Sequence, residues 1–374
     1  VANDLFIGGA GSVAFAADLG FAERPPGMQD GYPDFAKQRR DVESRLLSFF
    51  EEAGCQPVTS GLFEYVDTLL RARSSEAARD WIQLFDGGGN AIALRPEMTP
   101  SIARMAAPRV ASGRVPIRWC YCERVYRRTS DPASLSWASG KAAESTQVGV
   151  EWIGEPASVA TDAALLTWLH DAATRAGIAE HKIVVSHARF VPKLLQALGF
   201  PRDVSLQLLQ CLTTGDYVLF RQTVDRAATE CGDILTRLLR WSPERKGLQR
   251  GAINREQSAR ELNDLLHAAP DREAAAEVVH AWGYLCELAD ALAAAGLAPH
   301  CTTFDLTLHR DMDYYTGIVF EAFAHGVGAP IALGGRYDEL LAQFGAPAAA
   351  IGFTFEVERV LAVLEATAKS GRDA

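Results

Sequence analysis

The chain has 374 residues, 48% hydrophobic and 22% charged, the balance of a globular protein rather than a disordered or fibrous one. A formal net charge of −10 argues against a broad nucleic-acid surface, which needs clustered lysine and arginine. Seven scattered cysteines without a C-x-x-C pair indicate neither a disulfide framework nor a zinc site, and the eight histidines lack ligand spacing, so no metal is expected and the cytoplasm is the simplest compartment.

Leu5–Ala17 is an apolar run of small residues, but Asp4 is the only charge before it, and without a basic flank it is not expected to act as a signal peptide. No stretch is long and apolar enough to span a bilayer. Gly27–Pro33 is a turn cluster leading into a helix from Phe35 to Ala53, with Val42, Leu46, Leu47 and Phe50 at helical spacing and Gly54 as its stop. Trp81–Phe85 and Ala91–Leu94 flank Gly-Gly-Gly-Asn. No helix start with Lys-Ser/Thr follows those glycines, so the spacing predicts a hairpin rather than a phosphate cradle. Arg95–Pro100 then opens a helix through Met105, with Thr99 as its cap and Pro100 in its first turn. Glu97 at this junction fits either a complement to the helix dipole or a ligand-binding group.

Ile117–Val125 and Glu144–Ile153 form an antiparallel pair. Alternation places Gln147, Gly149 and Glu151 on one face and Val148, Val150 and Trp152 on the other. Polar groups on such a face need solvent, partners or a ligand. The tip from Tyr126 to Ala143, with Arg127, Arg128 and Lys141, is predicted to be a long, mobile, solvated loop. A helix over Glu155–Ala176, a strand over His181–Ser186 and a helix over Val191–Leu198 follow. Pro201–Ala295 is helical, broken at Trp241–Asn254 and Ala268–Pro270, with solvated basic clusters at Arg237–Arg240 and Arg245–Arg250. Asp305–Asp338 is predicted to be a β-meander, with strands at Asp305–His309, Gly317–Ala324 and from Ile331 to Gly335. Its polar residues Arg310, Asp313, Tyr314, Tyr315, Arg336, Tyr337 and Asp338 fit either a sheet edge or a pocket floored by a sheet. Gly352–Leu364 passes from strand to helix.

Arg-Asp-Met-Asp-Tyr-Tyr-Thr-Gly from Arg310, followed by Gly-Gly-Arg-Tyr-Asp at Gly334–Asp338, resembles the two histidine-binding signatures of the histidyl-tRNA synthetases. The resemblance extends from about Pro25 to Leu364. It implies an α+β, class II synthetase-like fold, an antiparallel sheet flanked by helices, over residues 1–200 and 296–374, with a helical insertion at 201–295 and no anticodon-binding domain. The first long helix and the strand after it would build a dimer interface, although Gly61 stands where the family has proline. The resemblance also implies a histidine site of Glu97, Thr99, Gln147, Glu151, Arg310, Tyr314, Tyr315 and Tyr337, with Glu97 holding the ammonium.

The ATP site departs from the family. Tyr121 replaces the arginine that clamps the α-phosphate, Ser145 the aromatic under adenine, and Glu356 a glycine that gives ATP room; Arg359 is kept. A chain that keeps the amino-acid site and loses the nucleotide site resembles the histidyl-tRNA synthetase-like regulatory subunits of ATP phosphoribosyltransferase. That resemblance implies a non-catalytic, cytoplasmic role in the feedback control of histidine biosynthesis, without cofactor, membrane or tRNA. The partners implied are a short catalytic subunit and a second copy of this chain, within a hetero-octamer. Two alternatives are a truncated synthetase forming histidyl-adenylate, opposed by the altered ATP site, and a tRNA-sensing module, opposed by the acidic balance.

Overall fold

The computed structural model describes residues 27–75, 77–128, 142–227, 234–244, 252–297, 301–310 and 314–370. The run Leu5–Ala17, most of the basic tip, Arg245–Arg250 and Asp313 lie outside the described residues.

Helix α1 (Pro33–Glu52) has proline in its first turn and buries Phe35, Val42, Leu46 and Phe50 along one stripe. Gly54, at φ 93°, turns the chain into β1 (Gln56–Pro57). Strand β2 (Phe63–Tyr65), helix α2 (Val66–Leu70), and strands β3 (Gln83–Phe85) and β4 (Ala91–Leu94) follow. Strands β2, β4 and β3 form a small antiparallel sheet. Its Gly-Gly-Gly-Asn turn is closed by the Asp86 carboxylate, which accepts from the backbone N–H of Gly88 (2.9 Å) and Asn90 (2.8 Å).

Helix α3 (Thr99–Ala111) leads to β5 (Ile117–Tyr126), β6 (Glu144–Ile153), α4 (Val159–Arg175), β7 (His181–His187) and α5 (Phe190–Ala197). Five helices come next: α6 (Arg202–Thr214), α7 (Tyr217–Arg226), α8 (Ile234–Arg240), α9 (Arg255–His267) and α10 (Arg272–Ala294). The chain closes with β8 (Thr302–Phe304), β9 (Ile318–Ala324), β10 (Ala332–Arg336), β11 (Ala350–Glu356) and α11 (Val357–Ser370). The main sheet has the order β1-β5-β6-β11-β10-β9-β7-β8, antiparallel except for its two outermost pairs. The fold is α+β.

One sheet face buries Val148, Val150, Trp152, Phe320 and Phe353 against α1, α4, α10 and α11. The apolar stripes of α6–α9 continue the same core through Leu208, Phe220, Leu238 and Leu262. On the other face α3 packs Met98, Ile102 and Ala106 over Trp119 and Ile153. The rest of that face floors a cavity.

Three expectations need correction. The first meander strand is Thr302–Phe304, and it pairs in parallel with β7 rather than with β9. Asp305–His309 alternates like a strand, but Asp305 Oδ1 accepts from the Thr307 N–H (2.8 Å) and hydroxyl (2.6 Å), and that local bonding makes a turn. Helix α3 runs past Met105 to Ala111, and Met98 rather than Thr99 is its N-cap; the Thr99 hydroxyl is used elsewhere. The helical stretch also breaks at Gly215 (φ 72°), after which the Asp216 carboxylate caps α7 through Leu219 N–H at 2.9 Å, and α7 itself ends at Arg226.

A buried ion pair ties the sheet to the helices. Arg336 on β10 donates through two nitrogens to Asp162 on α4, and both side chains are buried. Asp162 also accepts from the Tyr284 hydroxyl on α10 at 2.7 Å, and Arg336 donates to Asp338 at 2.9 Å. Removing one partner leaves a charge stranded in the core. Arg336→Met is therefore expected to cost about 3–5 kcal/mol of stability in urea unfolding, and Arg336→Met with Asp162→Leu to recover a large part of it.

Candidate functional site

The cavity holds about 960 Å³. Its floor is set by strand register. Trp119, Glu151 and Gly352 lie opposite one another across β5, β6 and β11; so do Tyr121, Gly149 and Thr354, and then Glu123, Gln147 and Glu356. Residues two apart on a strand share a face, so these rows stack on the same side of the sheet.

Every residue that the resemblance assigns to the amino-acid site lines this cavity. Glu97 and Thr99 come from the start of α3, and Gln147 and Glu151 from β6. Arg310, Tyr314 and Tyr315 precede β9, and Tyr337 follows β10. Of the three departures in the ATP site, Tyr121 and Glu356 line the cavity; Ser145 is buried but is not part of the lining. Arg336 and Asp338, in the same signature as Tyr337, serve the ion pair described above.

Glu151 is 1% exposed and accepts from three hydroxyls: Tyr337, Thr99 at 3.1 Å and Tyr121 at 3.4 Å. Burial pushes its carboxyl up to about 7, overriding the pull of these donors. Gly352 makes the room: a Cβ there would lie 1.7 Å from Glu151 Oε2. Glu97 accepts from the Tyr314 hydroxyl at 2.6 Å and pairs with Arg73 at 3.4 Å. A carboxylate so placed can receive an ammonium.

At the other end stands Glu356, 1% exposed, accepting from Gln147 Nε2 at 3.0 Å with Arg127 at 3.7 Å. Burial opposes its charge, but the Arg127 and Arg359 guanidiniums prevail and hold it down at about 2. Arg359 Nη1 also donates to the Pro330 carbonyl at 2.7 Å, and Arg127 Nε to the Pro96 carbonyl at 2.9 Å. Arg310, which the resemblance assigns to the histidine site, forms an ion pair with Glu321 of β9.

Four participants escape the sequence reading. Arg73 follows a short helix with no recognisable pattern, and Arg202 and Gln210 reach the cavity from α6, a distant stretch. Glu321 did leave a signal, a carboxylate inside the apolar strand Ile-Val-Phe-Glu-Ala-Phe-Ala. Among the described residues no group of three His, Cys, Asp or Glu side chains is arranged to hold a metal, and no helix is long and apolar enough to cross a membrane.

The Glu151 shift has a consequence for stability. A carboxyl held at about 7 when folded and near 4.5 when unfolded binds its proton more tightly in the folded state. Its contribution is complete below pH 4.5 and is lost as pH rises through 7. Glu151→Gln removes that slope, while Glu358, also at about 7, keeps its own in both proteins. Urea unfolding at pH 5 and pH 8 should show the variant gaining about 1–3 kcal/mol on the parent between the two.

The family model for histidyl-tRNA synthetase matches residues 27–360. The ATP phosphoribosyltransferase regulatory subunit of Moorella thermoacetica is 33% identical over 337 residues, 90% of this chain and 80% of that one. A solved structure described as a histidine–tRNA ligase subunit, from Alicyclobacillus acidocaldarius, is 65% identical with a TM-score of 0.86, covering 93% of this chain and 98% of that one. An ATP phosphoribosyltransferase regulatory subunit/histidyl-tRNA synthetase from Bacillus halodurans is 28% identical with a TM-score of 0.75, covering 91% and 83%. The chain belongs to the histidyl-tRNA synthetase family, within it to the histidyl-tRNA synthetase-like regulatory subunits of ATP phosphoribosyltransferase.

Proposed function

We propose that this chain is a non-catalytic, histidine-sensing regulatory subunit that works with a short catalytic subunit of ATP phosphoribosyltransferase. The observation that carries this reading is the contrast between the two ends of the cavity. At one end Glu97 and Glu151 offer acceptors for an ammonium and for an imidazole N–H. At the other, the guanidiniums that would meet phosphates already face carboxylates: Arg127 and Arg359 face Glu356, and Arg310 pairs with Glu321. A nucleotide would have to bring its own negative charge beside the ionised Glu356. Arg310 has further N–H donors to offer a ligand carboxylate while it keeps Glu321.

In this reading residues 1–200 and 296–374 form the synthetase-like domain and 201–295 a helical insertion. The chain pairs with a second copy inside a hetero-octamer, acts in the cytoplasm and takes neither tRNA nor cofactor. Histidine regulates only by binding the inhibited assembly more tightly than the active one. Its contacts would join the start of α3, strand β6 and the segment before β9.

The name of the Alicyclobacillus neighbour favours a second reading, a subunit that forms histidyl-adenylate. Calorimetry separates the two. Histidine should bind and ATP should not; histidine-dependent pyrophosphate exchange would establish the second reading instead. Arg310→Ala should weaken histidine by about 2–5 kcal/mol, part of it from the stranded Glu321. Mixed with the catalytic partner, Glu97→Ala should assemble and activate but not respond to histidine. Inhibition at the parent's concentration would place sensing in the partner.

A further inference from the structure

Tyr121 and Glu356 stand where the family's ATP site has arginine and glycine, and the sequence presents both as losses. The structure gives both a partner inside the amino-acid end of the cavity. Tyr121 is 2% exposed, and its phenol lies across Gly149, the residue opposite it on β6. A Cβ on Gly149 would come within 2.6 Å of the hydroxyl, so the glycine is what lets the ring lie flat. From there the hydroxyl reaches Glu151 Oε1, 3.4 Å away on the same strand face. Tyr337 holds the other oxygen of Glu151, and Thr99 shares Oε1 with Tyr121. The carboxylate is fixed from both sides.

Glu356 acts on the neighbouring row. Gln147 lies between Glu123 on β5 and Glu356 on β11. Glu123 is taken by Arg95 and by the Thr59 hydroxyl, so Gln147 turns to Glu356, to which its Nε2 donates at 3.0 Å. An ionised carboxylate only accepts. It therefore selects the NH2 end of the amide and leaves the Gln147 carbonyl oxygen as the acceptor on the cavity side. With glycine at position 356 nothing on β11 would make that choice.

We propose that Tyr121 and Glu356 are positioning residues of the amino-acid subsite, Tyr121 holding Glu151 and Glu356 fixing which end of the Gln147 amide meets the ligand. The two changes that close the nucleotide end thereby stiffen the end that remains. A pocket that turns substrate over gains little from such bracing; one whose task is equilibrium binding gains affinity and selectivity. The inference rests on reading the cavity as a histidine site. It also reverses a simple expectation. Tyr121→Arg would set a guanidinium beside the buried Glu151, consuming the acceptor that the imidazole needs instead of restoring a phosphate clamp.

The test compares the full-length parent with Tyr121→Phe, Glu356→Ala and Glu356→Gln by calorimetry. The ligands are L-histidine, ATP, and β-(2-thienyl)alanine, a five-membered-ring analogue without ring N–H groups. Tyr121→Phe and Glu356→Ala should each weaken histidine about three- to tenfold and narrow its preference over thienylalanine. Glu356→Gln can donate as well as accept, so it no longer dictates which end of the Gln147 amide faces the ligand; it should weaken histidine and narrow its selectivity in the same direction as Glu356→Ala, by a smaller factor. Tyr121→Phe keeps the ring and removes only the hydroxyl, so it carries the test if Glu356→Ala does not fold. Unchanged histidine affinity and selectivity in Tyr121→Phe and Glu356→Ala, with or without a gain in ATP binding, would overturn the inference. A parent that binds no histidine would overturn it together with the ligand assignment beneath it.

Discussion

Taking a carboxylate out of water costs several kcal/mol unless its charge is answered locally. The cavity puts Glu97, Glu151 and Glu356 in that position at once, and each is answered differently. Glu97 has a phenol and a guanidinium, Glu151 three hydroxyls and no cation, Glu356 an amide and two guanidiniums. The outcomes diverge accordingly: hydroxyls alone leave Glu151 near neutrality, whereas the arginines keep Glu356 ionised. One sheet face thus carries an acceptor of adjustable charge, Glu151, four residues along β6 from Gln147, and another of fixed charge, Glu356, directly opposite Gln147 on β11.

That division depends on backbone register. Glu151 needs Gly352 opposite it, Tyr121 needs Gly149, and Glu356 needs Gln147. A one-residue slip of β11 would bring Phe353 or Ile351 onto the cavity face and bury Glu356 in the apolar core. The apolar residues on the far side, Val148, Val150 and Trp152 packed with Phe50 and Phe353, hold the register in place. Packing on one face of the sheet specifies chemistry on the other.

Much of this was legible in the sequence. Alternation in Glu144–Ile153 gave the strand with its true limits and sorted its faces, since a half-buried strand has a period of two. The Gly-Gly-Gly-Asn hairpin and the helix ending at Gly54 followed from turn chemistry. What failed was local in origin: Asp305–His309 alternates, but its aspartate closes a turn on Thr307. What was invisible was distant in origin. Nothing near Arg73 or Arg202 signals a cavity, and pairing of Arg310 with Glu321 requires knowing that β9 runs alongside. Residue types at motif positions can be compared from sequence; the partners that redefine their roles come from the fold.

The second signature shows the same limit from another side. In Gly334–Asp338 only Tyr337 and Gly334 line the cavity, while Arg336 turns to Asp162, which also accepts from the Tyr284 hydroxyl, and Asp338 accepts from the Ala350 N–H at 2.9 Å. A five-residue motif is therefore part ligand wall and part clamp between β10, β11, α4 and α10. Because Arg336 and Tyr337 are consecutive on one strand end, their side chains point to opposite faces, and any shift of that backbone moves both. Displacing Tyr337 loosens Glu151; displacing Arg336 leaves a buried aspartate without its cation. The two penalties fall together, so the strand end has few intermediate positions, and the state of the cavity and the seating of α4 and α10 are constrained by a single stretch of backbone.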